Sequence, residues 1–561
     1  MAKILVIGDD LRSFLAVVRS LGRAGHEVHV LPERLNSISL SSSFIKKIHK
    51  IAPAYSDLDR WLMLLTQLDQ NEAFDYIIPC TDQAMVPLML KEHGINSDKI
   101  ATPGDRAFST FIDKWETHEL AVKLGIARPE VSMIDTPHDT HHYPLFLKPK
   151  SSITLDKLSG KQMVVKIGSM QELEANLSSL DHHEEYFLES SFEGIGVGVS
   201  VLAWAGEVSH AFQHERVSEG IAGGSSIRKS VPLSKVMLKD VKKLAEATQL
   251  NGVAMFEFRY NPSTKAHCLL EVNARFWGSL PLALFAGVDF PSLYIESLQR
   301  KKACAKNFSY TAGKISRALT ASIYDLNRSL EQKNSFSKAV SLVFHGLKAA
   351  FHHLINKATI DTQSKDDPAP FEQEWASLKK MINNKIRKLL GRTAIDRKTA
   401  HHQKCSLSSK PLKNILVLCY GNICRSPFLG QYLQNHFDDN QISVISAGFH
   451  MPEARMSPPD AKAASEKLGQ SLGAHRSRYA SPSLMEKADL ILYFDHKNED
   501  DIQAFYPESF SKSLNVGDFL NQPQDIVDPY GKGRDAFDAC YAQIEAAGAK
   551  IIEYIERSHN G

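Results

Sequence analysis

At 561 residues the chain is too long for one hydrophobic core and should divide into about three domains. Its composition, 43% hydrophobic and 23% charged, is that of a folded protein, and a net charge of +2 gives no global reason to expect a nucleic-acid partner. Seven widely spread cysteines, an odd number, argue against a disulfide framework and for a cytoplasmic protein with reduced thiols.

The opening Met1–Asp10 carries a short apolar run ended by paired aspartates, which reads as a first strand over 3–8 and not as a secretory signal. No uncharged apolar stretch approaches the ~18 residues needed to span a bilayer. An apolar-periodic helix at 12–24 and a strand at 27–31 make an α/β unit. A further strand runs from Tyr76 to Pro79, with Thr81 and Asp82 at its carboxyl end. The G-x-G-x-x-G pattern is missing after the first strand, so a dinucleotide fingerprint is not supported. The first domain is expected over 1–105. A second follows over 106–300, alternating helices with Val/Ile/Phe-rich strands.

Three features of the second domain belong together. Lys114 opens a helix after Asp113, and Lys148 ends a strand; two separated ammonium groups suit nucleotide phosphates where no Walker A loop exists. Glu189–Gly194, after the strand Tyr186–Leu188, reads as a hinge whose backbone and carboxylate offer contacts to an adenine edge. Last, Met255–Arg259 and Leu269–Arg275 flank a turn around Asn261-Pro262-Ser263. In a hairpin centred near Thr264, Glu257 faces Glu271 at ~5 Å, an arrangement that repels unless a hard cation bridges it. Asn273 shares the face of Glu271 by the two-residue period, and Arg275 follows. The segment His214–Ser226, which includes Arg216, looks like a flexible lid between strands.

Together these residues resemble the ATP-grasp superfamily of carboxylate–amine or thiol ligases over roughly 1–300, with 1–105 as the pre-ATP-grasp domain and 106–300 as the ATP-grasp domain. The resemblance implies ATP and Mg²⁺ as cofactors. It makes Lys114 and Lys148 phosphate ligands and Glu189 the adenine-side residue. Glu257, Glu271 and Asn273 become metal ligands, while Arg275 and Arg216 serve the acyl phosphate and substrate. The hinge departs from many relatives in lacking a second carboxylate for ribose; Ser190, Gly196 and Gly198 stand nearby. The carboxylate and the amine or thiol are not legible.

Residues 301–410 read as a helical region and basic linker. Phe336, Val340, Val343, Phe344, Leu347, Phe351, Leu354 and Ile355 form one apolar helical stripe. Between 376 and 410, ten Lys/Arg stand against one acid, Asp396. That stretch is a solvated connecting helix by default, or a weak contact for an anionic membrane surface. Ser408–Pro411 reads as linker.

A fresh strand, Asn414–Leu418, opens the last domain, 411–561. Cys419-Tyr-Gly421-Asn422-Ile423-Cys424-Arg425-Ser426-Pro427 lies between that strand and a helix. Backbone N–H groups of such a loop curl into an anion nest at a helix N-terminus, which favours thiolate. Arg425 supplies a planar fork for two phosphate oxygens, and Ser426 is placed to bond the sulfur as it leaves. Asp528-Pro529-Tyr530 on a turn-rich loop suits a mobile acid, with Tyr530 as an aromatic wall.

With Ser446-Ala447-Gly448, His475-Arg476-Ser477 and Asp495-x-x-Asn498, this set resembles the low-molecular-weight protein tyrosine phosphatases over essentially all of 411–561. The resemblance implies a central parallel sheet and no cofactor. Cys419 becomes the nucleophile, Arg425 the phosphate ligand, Asp528 the general acid, Asn422 the loop's brace and Cys424 a trap for oxidised Cys419. Arsenate reductases of this fold relay oxidation through later cysteines; here only Cys540 follows. Arginine-phosphate phosphatases carry a small polar residue where this chain has Ile423, so a phosphotyrosine protein is the expected substrate.

The expected fold class is α/β multidomain. The expected function is bifunctional, a ligase joined to a tyrosine phosphatase. Two alternatives stand beside it: the N-terminal half as an ATP-binding sensor that regulates the phosphatase, and a phosphatase pocket that serves a metabolite made by the first half.

Overall fold

Among the described residues, short Val/Ile/Leu-rich runs alternating with amphipathic helices give four sheets. The computed structural model describes residues 1–134, 143–155, 158, 164–177, 180, 182–219, 225–330, 357–390, 412–437, 442–450, 454–522 and 524–560. They divide into two compact units, Met1–Leu378 and Lys379–Gly561.

The first sheet of the N-terminal unit contains β1 (Lys3–Ile7), β2 (Glu27–Leu31), β3 (Ile45–Ile48) and β4 (Tyr76–Pro79). All its pairs are parallel, in the order β3-β2-β1-β4. Ile4–Ile7 are buried because helices cover both faces, as a parallel sheet requires. One face packs with Ser13–Arg23, Leu280–Ala286 and Phe290–Arg300; the other packs with Leu58–Glu72 and Asp82–Leu90.

A small antiparallel sheet follows, from β5 (Val131–Met133), β6 (Leu145–Pro149), β7 (Val165–Ile167) and β8 (Tyr186–Ser190), ordered β5-β8-β6-β7. The large sheet comprises β9 (Ile195–Trp204), β10 (Glu207–Glu219), β11 (Ser225–Ser230), β12 (Gly252–Tyr260), β13 (His267–Asn273), β14 (Ile315–Arg317) and β15 (Ala358–Ile360). Its order is β13-β12-β9-β10-β11-β14-β15, antiparallel except for the last pair.

Two expectations change here. The stretch read as helical over 301–410 contributes β14 and β15, which extend the large sheet beyond β11. Each is only three residues long, too short for periodicity to reveal. The lid read over His214–Ser226 is largely a hairpin. His214–Glu219 belong to β10 and pair with β11 through two register shifts. Its tip, 220–224, the apolar stripe at 336–355 and the linker Ser408–Pro411 lie outside the described residues.

In the C-terminal unit β16 (Asn414–Cys419), β17 (Ser443–Gly448), β18 (Leu490–Tyr493) and β19 (Ser513–Asn515) form a parallel sheet ordered β17-β16-β18-β19. The helices Arg425–Phe437 and Arg534–Asn560 pack on one face, and Pro482–Lys487 and His496–Phe505 on the other. Among the described residues no helix is long and apolar enough to cross a membrane.

Candidate active sites

In the C-terminal unit, β16 delivers Cys419 to its carboxyl end, and the chain turns at once into the helix Arg425–Phe437. The turn needs Asn422 at φ 50°, a left-handed conformation that asparagine tolerates better than most residues. Its Nδ2 donates to Ser426 Oγ at 2.9 Å and Ser446 Oγ at 3.0 Å, while its Oδ1 accepts from Arg478 N at 2.7 Å. His475 Nε2 donates to the Asn422 carbonyl at 2.7 Å. Burial, followed by nearby Arg478 and Arg476, lowers the pKa of that imidazole despite the hydrogen bond. Gly448 is also required: a Cβ there would stand 2.8 Å from Asn422 N and from Tyr420 O.

Cys419 Sγ receives the Asn422 N–H at 3.2 Å and lies 3.0 Å from Ser426 Oγ. Arg425 is 1% exposed. One terminal nitrogen donates to Asp495 Oδ2 at 2.5 Å and the Ile526 carbonyl at 2.8 Å; the other stands 3.0 Å from Asp528 Oδ2. Its Nε is buried without a hydrogen-bond partner among the described residues. A phosphate oxygen suits such a nitrogen, because the guanidinium plane is already fixed by Asp495.

Asp528 is much more exposed than Arg425, as a group that must meet a leaving oxygen should be. Tyr530 and Tyr420 are exposed, and Lys497 Nζ sits 3.6 Å from the Tyr420 ring centroid. Burial pushes the Cys424 thiol well up and the Cys540 thiol up to about 12, so both stay protonated at neutral pH. Ile423 packs partly into the core. All eight residues expected for this site, Cys419, Gly421, Asn422, Ile423, Cys424, Arg425, Ser426 and Asp528, belong to one loop and its approach. Sequence reading gave Asp495 no role; its signal was Asp495-x-x-Asn498, an N-cap that also reaches Arg425.

In the N-terminal unit, β12 and β13 place Glu257 directly opposite Glu271. Arg216 of β10 pairs with Glu257, whose other oxygen accepts from Asn273 Nδ2 at 3.4 Å. Arg275 NH2 reaches Asn273 Oδ1 at 3.4 Å and grips Asp82 with two bonds of 2.6 and 2.7 Å. Lys114, Ser152, Glu271, Asn273, Arg275 and Asp82 line one cleft between the first sheet and the large one. Lys114 Nζ donates to Ser152 Oγ at 2.7 Å. Glu257, Glu271 and Asn273 form an all-oxygen donor set on one strand pair, and a guanidinium already stabilises one of the carboxylates. The residues fit Mg²⁺.

Lys148 and Glu189 stand apart from the lining of that cleft. They lie diagonally on β6 and β8, and Lys148 Nζ meets Glu189 Oε1 at 2.5 Å. His118 Nε2, from the helix that begins at Lys114, lies 3.2 Å from Glu189 Oε2. Burial alone would raise the Glu189 pKa, but Lys148 and His118 outweigh it and hold the carboxyl below its ordinary value. Glu189 is therefore inside a strand, not after it, and its carboxylate is engaged from both sides. Sequence reading missed His118 and Ser152. His118 had one signal, its position four residues after Lys114 on the same helical face.

Sequence reading placed His214 at the start of the lid and gave it no role of its own. Glu271, Glu257, Gly198, His214 and Ser230 form one register row across five strands. The buried His214 ring fills the space over Gly198, where a Cβ would stand 2.2 Å from its Cε1. Burial, then Arg216 and Arg228, push its pKa down to about 3, so the ring is neutral.

Comparison with known proteins finds similarity in two separate segments of the chain. Residues 414–560 match the family described as low molecular weight phosphotyrosine protein phosphatase. In Erwinia amylovora the "Probable low molecular weight protein-tyrosine-phosphatase AmsI" is 33% identical over 146 residues, 26% of this chain and 99% of that protein. Low molecular weight protein-tyrosine-phosphatase Etp of Escherichia coli K12 is 34% identical over 146 residues, 26% of this chain and 95% of Etp. Through this segment the chain belongs to the low-molecular-weight protein tyrosine phosphatase family, and it is an enzyme. Residues 182–316 match the family described as ATP-grasp in the biosynthetic pathway with Ter operon. The chain therefore joins an ATP-grasp module to a phosphatase. The crystal structure of an L-amino acid ligase from Bacillus licheniformis aligns at 17% identity and a TM-score of 0.42, covering 53% of this chain and 74% of that one.

Proposed function

We propose that this is a bifunctional cytoplasmic enzyme: a phosphotyrosine-protein phosphatase working through phosphocysteine, and a Mg·ATP-dependent carboxylate–amine or thiol ligase working through an acyl phosphate. The observation that supports the first most directly is the Cys419 sulfur held by Asn422 N–H and Ser426 Oγ, with Arg425 Nε buried and without a hydrogen-bond partner among the described residues. Cys419 thiolate attacks phosphorus as the P–O bond to tyrosine breaks, and Asp528 protonates the departing phenolate oxygen. Asp528 then takes a proton from water as the P–S bond is hydrolysed, and Ser426 stabilises the leaving sulfur. Arg425, aligned by Asp495, binds the equatorial oxygens throughout.

For the ligase, Lys114 and Lys148 bind nucleotide phosphates, and Glu189 steadies Lys148 at the adenine side, where the strand's backbone continues. Glu257, Glu271 and Asn273 would hold Mg²⁺, which when bound offsets phosphate charge. Arg275, fixed by Asp82, and Arg216, carried on β10, orient the acyl phosphate and the substrate carboxylate. The domain boundaries proposed for these activities are 1–105, 106–300, 301–410 and 411–561.

Two assays test the reading. The protein should release phosphate from phosphotyrosine peptides faster than from phosphoarginine peptides, and equal rates would remove the argument from Ile423. ADP release should require both an added carboxylate and an added amine or thiol. ATP binding without turnover, across a metabolite screen, would overturn the ligase half.

A further inference from the structure

Outside both sites, three ligand-type side chains converge at the edge of the first sheet. His29 comes from β2, His49 follows the edge strand β3, and Glu72 ends the helix Leu58–Glu72. His29 Nδ1 lies 2.9 Å from His49 Nε2 and 4.0 Å from Glu72, and the three ligand atoms fall within 4.8 Å of one another. Both rings are buried, and the Phe74 ring closes the apolar side of the cluster at 5.4 and 5.9 Å.

The far side of His29 defines its tautomer. Nε2 stands 2.9 Å from Glu27 Oε1. An ionised carboxylate only accepts, so Nε2 carries the proton and Nδ1 turns a lone pair toward His49 and Glu72. A carboxylate behind an imidazole is the arrangement that orients metal-binding histidines. Lys3 and Lys47 each bond one oxygen of Glu72. A carboxylate has about four acceptor positions, so each oxygen retains a lone pair for a metal.

We propose that His29, His49 and Glu72 bind Zn²⁺, which fastens β3 to the sheet. Two imidazoles and one carboxylate suit zinc, whereas Mg²⁺ and Ca²⁺ prefer oxygen alone. Zinc–ligand bonds of about 2.0–2.1 Å place neighbouring donors about 3.4 Å apart in a tetrahedron, between the two distances seen here. Binding needs only a tautomer change: His49 moves its proton from Nε2 to Nδ1 through solvent, and no net charge transfer follows. The fourth position goes to water. The benefit falls on β3, which is four residues long, mostly exposed, bonded only to β2 and shifted in register beside His29.

The test uses the full-length protein and Zn²⁺ alone, titrated against a chromophoric chelator in excess Mg²⁺. One tight equivalent per chain is expected. His49→Gln should weaken it at least 100-fold and Glu27→Gln 10- to 100-fold, with p-nitrophenyl phosphate hydrolysis unchanged. Equal zinc affinity in wild type and His49→Gln, or no zinc retained by wild type, would overturn the site. Should the variants fail to fold, the Co²⁺-loaded wild type decides. Nitrogen/oxygen ligation without thiolate charge-transfer bands supports the proposal, and strong thiolate bands overturn it by placing the metal on cysteine.

Discussion

Glu257 faces Glu271 because Leu270 bulges out of β13. Next to the turn, Tyr260 faces His267, Arg259 faces Cys268 and Phe258 faces Leu269. A regular continuation would bring Leu270 opposite Glu257; the register shift brings Glu271 instead. The bulge thus puts two carboxylates on one face beside Asn273. Glu271→Gln should lower ADP release by about 10²–10³-fold, as removal of an electrostatic catalytic group does, and leave phosphatase turnover unchanged. Coupled-assay rates for both activities on one preparation check this.

Gly198 and His214 are complementary in shape. Gly198→Ala would place a methyl 2.2 Å from the imidazole Cε1, and the ring would have to leave the row it shares with Glu257. Overpacking should destabilise the N-terminal unit by about 1–3 kcal/mol and impair ATP turnover. Calorimetry should show the change in that unit's transition and not in the other's.

Cys419→Ser should abolish phosphate release while leaving any ADP release intact. Asp528→Ala should slow alkyl or weakly activated aryl phosphates by about 10²–10⁴-fold but affect p-nitrophenyl phosphate much less, because a good leaving group needs no proton. A leaving-group series of kcat/KM values separates the cases. Equal losses across the series would remove Asp528 from the acid's role.

Asn422 combines a left-handed backbone with three side-chain hydrogen bonds. Asn422→Gly keeps the conformation and loses the bonds, whereas Asn422→Ala loses both. Both variants should lose phosphatase activity, and the alanine variant should be the less stable, by about 1 kcal/mol. Urea unfolding of the two proteins gives the comparison.

Asp501, on the helix His496–Phe505, has a buried oxygen without a hydrogen-bond partner among the described residues. Burial raises its pKa to about 6, opposed by Lys497 and supported by Asp495 and Asp500, with Lys380 a further lowering influence. The native state therefore holds this proton more tightly than the unfolded chain. The resulting stability is complete below pH ~4 and is lost as pH rises toward 6. Asp501→Asn should stabilise the C-terminal unit at pH 7–8, by on the order of 1 kcal/mol after screening by solvent, and should have little effect at pH 4. Melting temperatures across that range test the sign.

The phosphatase loop was legible because its chemistry is local. Cys419 to Ser426 span eight consecutive positions, and strand, turn and helix signals flank them in order. The opposed glutamates were legible for a related reason, since a hairpin brings near neighbours in sequence together. Even so, the regular register inferred about Thr264 concealed the bulge, which depends on packing that no two-residue period reports. The lid reading failed at His214–Glu219 because charged residues on a strand look like loop until their partner strand is known.

By itself, then, the sequence determined the two families the chain resembles and the candidate groups in each, since each motif is set by a short run of chain. Only the tertiary structure decided what those groups do to one another. Asp82 holds Arg275 across a separation of 193 residues, His118 and Lys148 enclose Glu189, and Asp495 aligns Arg425. Those contacts arise when distant elements pack and buried charges must find partners, and no local pattern encodes which partner will be within reach.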